Sequence, residues 1–315
     1  SEPPQEAAAP GGPPPVLVLV TIDTLRADRV SAYGYTRKTT PRLDALAAAG
    51  ARFETAYAMS STTLPSHATL FSSRHPDEHG VAKNGLALPE DVPVLAERLR
   101  EQGWETAAFV SSFVLDRRFG LARGFDHYDD DFRGAAHSSP IRRWEGHELA
   151  APYDRRASDT TDRALAWLAA REAERPLFLW VHYFDPHSPY DPPEPHRSEF
   201  LATTDPSSPQ HVRDLYDGDV HYADVQLGRL LDALAPRAPL TVVTSDHGEG
   251  LWDHGWLEHG VSLYEEQVRV PLVFHWPGRI PAGRVVEGLV AHVDLVPTLA
   301  GLLGLPLVAE PRGRD

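Results

Sequence analysis

The chain contains no cysteine, which excludes disulfides, thiol catalysis and any thiolate-held metal. No apolar run approaches the roughly 18 residues that a membrane-crossing helix needs. Basic residues are in deficit: 30 Lys and Arg face 45 Asp and Glu, a formal net charge of −15. That balance excludes a nucleic-acid backbone as the main partner, because such binding needs a basic footprint. An acidic chain that acts on an anion must reverse the field locally, which metal ions do with few residues. No internal repeat is present, and no signal-peptide pattern opens the sequence.

What is present reads as a folded α/β chain. Its 315 residues are 42% apolar and 24% charged, enough for a sizeable core. Residues 1–15, rich in Pro, Ala and Gly, read as an extended tether ahead of one catalytic domain at 16–315. Tethers of this kind follow a removed signal or a lipid-anchored cysteine. Export to the periplasm or cell surface is therefore expected, with possession of a lipid anchor consistent and a cytoplasmic location as the alternative. Short β-branched runs predict strands at residues 16–22, 106–111, 177–184, 240–245 and 270–275. Helical patterns fall at 40–49, 92–102, 159–171 and 212–234, and an apolar helical stretch at 293–303. Long loops are expected at 125–153 and 186–209. The alternation predicts a three-layer α/β/α sandwich around a mostly parallel sheet. Ligands in such folds lie beyond the carboxyl ends of the strands.

Polar residues gather there. The first strand runs into Asp23, the fourth of these strands into Asp246 and His247, and the third into Asp185 and His187. A carboxylate at the end of a buried strand needs a partner or a metal to offset desolvation. Pro65 reads as the first residue of a helix, which places Thr63 just ahead of it, near free N–H groups and the positive dipole end. Alone, Thr63 reads as a helix cap. Together with Asp23, Asp246 and His247 it offers four ligands, the number zinc prefers, with Asp185 as a further candidate. The imidazole favours zinc over manganese, calcium or magnesium, and one or two ions are expected. A metal beside Thr63 makes its hydroxyl a nucleophile near neutral pH. His259 and His187 are candidates for acting on the substrate or holding a second ion.

These segments resemble the alkaline-phosphatase superfamily, in particular its sulfatase branch. The likeness covers nearly the whole chain after the tether. It includes Ile22-Asp23-Thr24-Leu25-Arg26-Ala27-Asp28, Ala32-Tyr33-Gly34-Tyr35 and Thr40-Pro41-Arg42-Leu43-Asp44. It continues through residues 60–81, His182-Tyr183-Phe184-Asp185-Pro186-His187, Ser245-Asp246-His247-Gly248-Glu249 and Leu263-Tyr264-Glu265-Glu266. The resemblance implies an alkaline-phosphatase-like fold, and relatives continue into a smaller C-terminal antiparallel sheet. The sequence stops at Asp315, so that sheet is expected to be truncated or naturally reduced.

The motif positions depart from true sulfatases. Those carry Cys or Ser, oxidised to formylglycine, where this chain has Thr63, and Arg where it has His67. Thr24 stands where a second Asp is usual, His247 where Asn is common, and His259 near the usual substrate-binding Lys. The Thr nucleophile with an Asp-His metal pair resembles nucleotide pyrophosphatase/phosphodiesterases, phosphoethanolamine transferases and lipoteichoic acid synthases. That likeness implies a hydrolase or transferase of a phosphate-type ester, small or linked to a lipid or glycan, attacked by Thr63 to give a covalent intermediate that water or an acceptor alcohol resolves. Asn84 and His67 then become candidate substrate-binding residues. Asn84 has a loop turn as its other reading. Arg26 could reach the anion, with a structural salt bridge as the alternative. Two rivals stand beside this reading: a sulfuric ester hydrolase working without formylglycine, and a binding module that kept the fold without turnover.

Overall fold

The structure is a computed structural model, and it describes residues 15–135, 141, 143–144, 146–149, 151–172, 175–306 and 312–315. The tether expected at residues 1–15 lies outside the described residues except for Pro15. Seven apolar or β-branched residues make Val16–Ile22 (β1) a strand buried along its whole length, as the centre of a covered parallel sheet requires. The other strands are Ala51–Tyr57 (β2), Glu105–Phe109 (β3), His127–Asp129 (β4), Arg143–Trp144 (β5), His147–Glu148 (β6) and Leu177–Tyr183 (β7). Leu240–Thr244 (β8), Arg269–Val270 (β9), Leu272–His275 (β10) and Arg284–Ala291 (β11) complete the set.

Nine of them form one sheet, in the order β11-β2-β10-β8-β1-β7-β3-β4, with β9 beside β2. β1 pairs in parallel with β7 and β8, β3 with β7 and β4, and β11 with β2. The sheet is mixed: β10 runs against β8 and β2, and β9 against β2. β5 and β6 form a separate antiparallel pair.

The helices are Pro41–Ala49 (α1), Thr63–Ser72 (α2), Pro76–His79 (α3), Leu95–Glu101 (α4) and Ala157–Ala170 (α5). His196–Phe200 (α6), Pro209–Leu234 (α7), Glu265–Val268 (α8) and Leu295–Leu303 (α9) follow. Side chains alternate across each strand, and the core divides accordingly. Leu17, Leu19, Phe178, Trp180 and Val242 pack with Leu64, Phe71, Leu99 and Leu299 from α2, α4 and α9. Val18, Val20, Leu179, Val181 and Val243 pack with Leu43, Ala164, Tyr216, Ala223 and Leu227 from α1, α5 and α7. The expected three layers are therefore present.

Three expectations need correction. α2 begins at Thr63, not at Pro65: Ser66 N–H bonds to Thr62 O, and Pro65 occupies the third position, where an N–H has no partner inside the helix anyway. Residues 186–209 are not all loop, because they contain α6 and the start of α7. Residues 125–153 contribute the edge strand β4 and the β5–β6 pair, while 136–140, 142, 145 and 150 lie outside the described residues.

Candidate active site

The carboxyl ends of β1 and β8, the last turn of β7 and the N-terminus of α2 meet on one side of the sheet. β1 ends one residue before Asp23, and β8 two residues before Asp246. Directly after Asp23 the chain turns through Thr24 with φ +56°, an uncommon conformation for a β-branched residue. The turn aims Thr24 N–H at Asp246 Oδ1, 3.3 Å away. His247 N–H donates to the same oxygen at 2.9 Å, which fixes one side of the Asp246 carboxylate.

The opposite oxygens have no such partner. Asp23 Oδ1 and Asp246 Oδ2 are buried without a hydrogen bond, and His247 Nε2 lies 3.7 Å and 3.4 Å from them. One ligand atom from each of Asp23, Asp246 and His247 lies within 4.8 Å of the others, the one such group found among the described residues. Burial raises both carboxyls above their ordinary range, and for Asp246 the charge of Asp23 adds to the effect. Burial opposes protonation of His247, but the facing Asp246 and Asp23 outweigh it and raise its pKa. Two buried carboxylate oxygens without hydrogen bonds, facing the His247 imidazole nitrogen, make a donor set suited to a divalent cation.

Thr63 Oγ1 stands 3.3 Å from His247 Nε2, so the hydroxyl and this donor set share one space. Asn84 Oδ1 accepts from Leu64 N–H at 2.8 Å, pinning the first turn of α2 and leaving the Asn84 amide NH2 as a donor. His259 Nδ1 is 3.2 Å from Glu249 Oε1, and its ring centroid is 4.3 Å from that of His247. His187 lies 4.9 Å from His259, with Nδ1 on Ser188 O at 2.6 Å. Burial lowers the pKa of both, to about 4 for His187 and well below the ordinary value for His259.

Two sequence candidates stand apart from this space, and a third, His67, borders it with Nδ1 3.7 Å from Asp246 Oδ2 but has both ring nitrogens engaged. Arg26 is fully engaged: Nε and Nη2 donate to Asp28 at 2.8 and 2.6 Å, Nη2 also to Asp253 at 2.6 Å, and Nη1 to Glu249 O and Gly250 O at 3.1 and 3.3 Å. It is the structural salt bridge, not an anion-reaching arm. Asp185 accepts from Ala157 N–H at 2.8 Å, so it caps α5 and is outside the ligand cluster. His67 lies beneath the site with both ring nitrogens used, Nδ1 on Thr63 O at 2.8 Å and Nε2 on Thr21 Oγ1 at 3.0 Å.

Three residues had no assigned part in the sequence reading. His182 Nε2 lies 3.3 Å from Asp23 Oδ2 and orients that carboxylate. Its register was the signal: counting by two from Phe178 and Trp180 puts it on the α2 face. Glu249 holds His259. Ser66 Oγ donates to Asp246 O at 2.5 Å and lies 3.1 Å from His292 Nδ1, a link no sequence pattern announces.

Residues 15–305 match the protein-family model described as Sulfatase. The "Uncharacterized sulfatase YidJ" of Escherichia coli K12 is 27% identical, over 95% of this chain and 72% of its own length. The "Delta 4,5-hexuronate-2-O-sulfatase" of Bacteroides thetaiotaomicron is 26% identical, over 98% of this chain and 72% of its own. The crystal structure of a phosphonate monoester hydrolase of Agrobacterium radiobacter superposes with a TM-score of 0.77 at 23% identity, covering 96% of this chain and 76% of that one.

Proposed function

The chain belongs to the sulfatase family, whose members are ester hydrolases, and on that premise we propose that it is a metal-dependent hydrolase of phosphate-type esters with Thr63 as nucleophile. One observation carries the reading: Thr63 Oγ1, at the N-terminus of α2, is 3.3 Å from His247 Nε2 and shares its space with two partnerless carboxylate oxygens. Asp23, Asp246 and His247 would hold the divalent cation, zinc by their donor types. Such an ion supplies positive charge that eases ionisation of the Thr63 hydroxyl and offsets the charge of the bound anion.

With its proton released to solvent, Thr63 Oγ1 attacks phosphorus and the ester P–O bond breaks. The leaving oxygen takes a proton from His259 or His187, whose pKa rises once an anion lies beside them. General acid help of this kind is worth about 10²–10⁴ in rate. Water then attacks phosphorus, releasing phosphate from a monoester or a phosphomonoester from a diester and restoring the Thr63 hydroxyl. The Asn84 amide NH2 donates to a phosphoryl oxygen. Thr63 is a secondary alcohol whose oxidation gives a ketone, so the aldehyde of formylglycine is not available from it.

A second reading, sulfate ester hydrolysis with unmodified Thr63, draws on the relatives named as sulfatases, one of them acting on a hexuronate 2-O-sulfate. Nitrophenyl phosphodiester, phosphomonoester, phosphonate and sulfate reporters, given to metal-loaded wild type and Thr63→Ala, decide between the two. We expect phosphorus esters to be turned over at least a hundredfold faster than the sulfate, and the activity to vanish in Thr63→Ala. Preferred sulfate turnover overturns the phosphate assignment, and equal rates in Thr63→Ala overturn the nucleophile.

A further inference from the structure

We propose that the segment from Trp252 to Tyr264 is an apolar shelf that seats the alcohol part of the substrate, so that the preferred ester is an amphiphile with an alkyl chain or hydrophobic ring beside its anionic group. The inference rests on the ester-hydrolase reading above and names the substrate class of that site. Eight large apolar side chains are exposed among the described residues, and six of them are Leu86, Trp252, Trp256, Val261, Leu263 and Tyr264. Five of the six belong to the segment that carries His259. Leu86 follows Asn84 by two residues. Val261 and Leu263 are 63% and 71% exposed. Apolar surface concentrated in this way marks a binding face.

The segment is fastened to the site. His259 is held by Glu249 at 3.2 Å, and Glu258 Oε1 is 3.4 Å from Ser188 Oγ, the neighbour of His187. Gly260 lies against the nucleophile segment so closely that a methyl group there would come within 3.0 Å of Thr62 Cγ2. Val261 and Leu263 therefore follow directly on residues that border Thr63.

The segment is also preorganised. Leu251 and Trp252 N–H groups bond to Leu257 O and Trp256 O at 2.8 Å each. Arg26 and Arg213 both hold Asp253, at 2.6 and 2.8 Å, and the rings of His254 and Tyr264 stack at 3.8 Å. These contacts brace Trp252, Trp256 and Tyr264, and apolar surface held in this way binds without first having to be ordered. Asp253 is neutralised by its two arginines, which leaves the exposed acids Glu258 and Glu265 to disfavour a polyanionic alcohol part and a neutral apolar one as the fit.

Nitrophenyl alkyl phosphodiesters with methyl, butyl and octyl chains, kept below their aggregation concentrations, test this with the metal-loaded protein. The shelf predicts an octyl-to-methyl ratio of kcat/KM of about tenfold or more, carried by KM, and a ratio close to one in the double variant Val261→Ser, Leu263→Ser. Inhibition by octylphosphonate against methylphosphonate should show the same ratio and the same loss. A wild-type ratio near one, with turnover, overturns the shelf and leaves the hydrolase reading standing. A high ratio unchanged in the double variant also overturns it. Absence of turnover for every ester, with tryptophan emission still reporting tighter binding of octylphosphonate than methylphosphonate, sinks the hydrolase reading and keeps the shelf.

Discussion

At the scale of single residues, the two carboxylate oxygens without partners decide most of the behaviour. Asp23 Oδ1 and Asp246 Oδ2 are buried side by side, and like charges there cost stability unless a cation lies between them. A chelator should therefore lower the melting temperature of the metal-loaded protein by about 5 °C, from mass-action stabilisation of roughly 3 kcal/mol. Asp246→Asn should melt at the same temperature with and without metal, and no lower than the metal-free wild type. Differential scanning calorimetry of the four samples checks both. A chelator response retained in Asp246→Asn would remove Asp246 from the ligand set. The candidate ligands were legible in the sequence because each ends a buried strand, where a charge demands a reason. At His67 and Arg26 residue type does not reveal what the structure shows, that their ring nitrogens and guanidinium N–H groups are already engaged.

At the scale of elements, α2 carries Thr63, the proposed nucleophile, and its first turn depends on a residue outside it. Asn84 Oδ1 supplies the acceptor that Leu64 N–H lacks within the helix, a cap delivered from 20 residues away. Asn84→Ala should cost about 1 kcal/mol, the usual loss for a removed cap, as read by urea unfolding. Asn84→Asp should keep that stability, because the acceptor remains, yet raise KM for an anionic ester by tenfold or more. A KM unchanged in Asn84→Asp would confine Asn84 to a capping role. Central elements were readable from pattern alone: β1 spans the predicted residues, and β7 and β8 end within one residue of them. β2 and β11 were not. β2 reads Ala-Arg-Phe-Glu-Thr-Ala-Tyr and is mostly half-buried, and β11 is an exposed edge interrupted by Gly288, so neither carries a long apolar run.

At the scale of the whole molecule, buried imidazoles set the response to acid. His67, His79 and His182 have pKa values lowered to about 4, and His292 to about 3, in each case by burial first. The unfolded chain takes up these protons near pH 6.5 whereas the folded one resists until near pH 4. The stability they contribute is thus full above about pH 6.5 and lost as pH falls through about 4, up to about 3 kcal/mol for each group. Asp224, whose carboxyl burial raises to about 7, contributes with the opposite sign below that pH, so the imidazole share is read from a difference between variant and wild type. The urea midpoint of His292→Gln, measured against wild type at about pH 7.5 and about pH 4.5, either side of the fall, should gain on wild type at the lower pH, and an unchanged difference would remove His292 from the account. The layered architecture was legible because alternation of strands and helices admits few arrangements. The reversal of β10 was not, since a buried strand has the same composition in either direction.

That reversal governs how the catalytic rim can diversify. The start of β10 pairs with the end of β8, Leu272 opposite Thr244, so the intervening chain leaves and re-enters the sheet on the same side. A parallel return would have needed a crossover helix packed on a sheet face. Here no helical layer depends on the length of that excursion. The largely exposed stretches 252–258 and 260–265 of that excursion can take substitutions or insertions that retune what is recognised, while Asp246, His247, His259 and the core residues Leu251 and Val270 stay as they are.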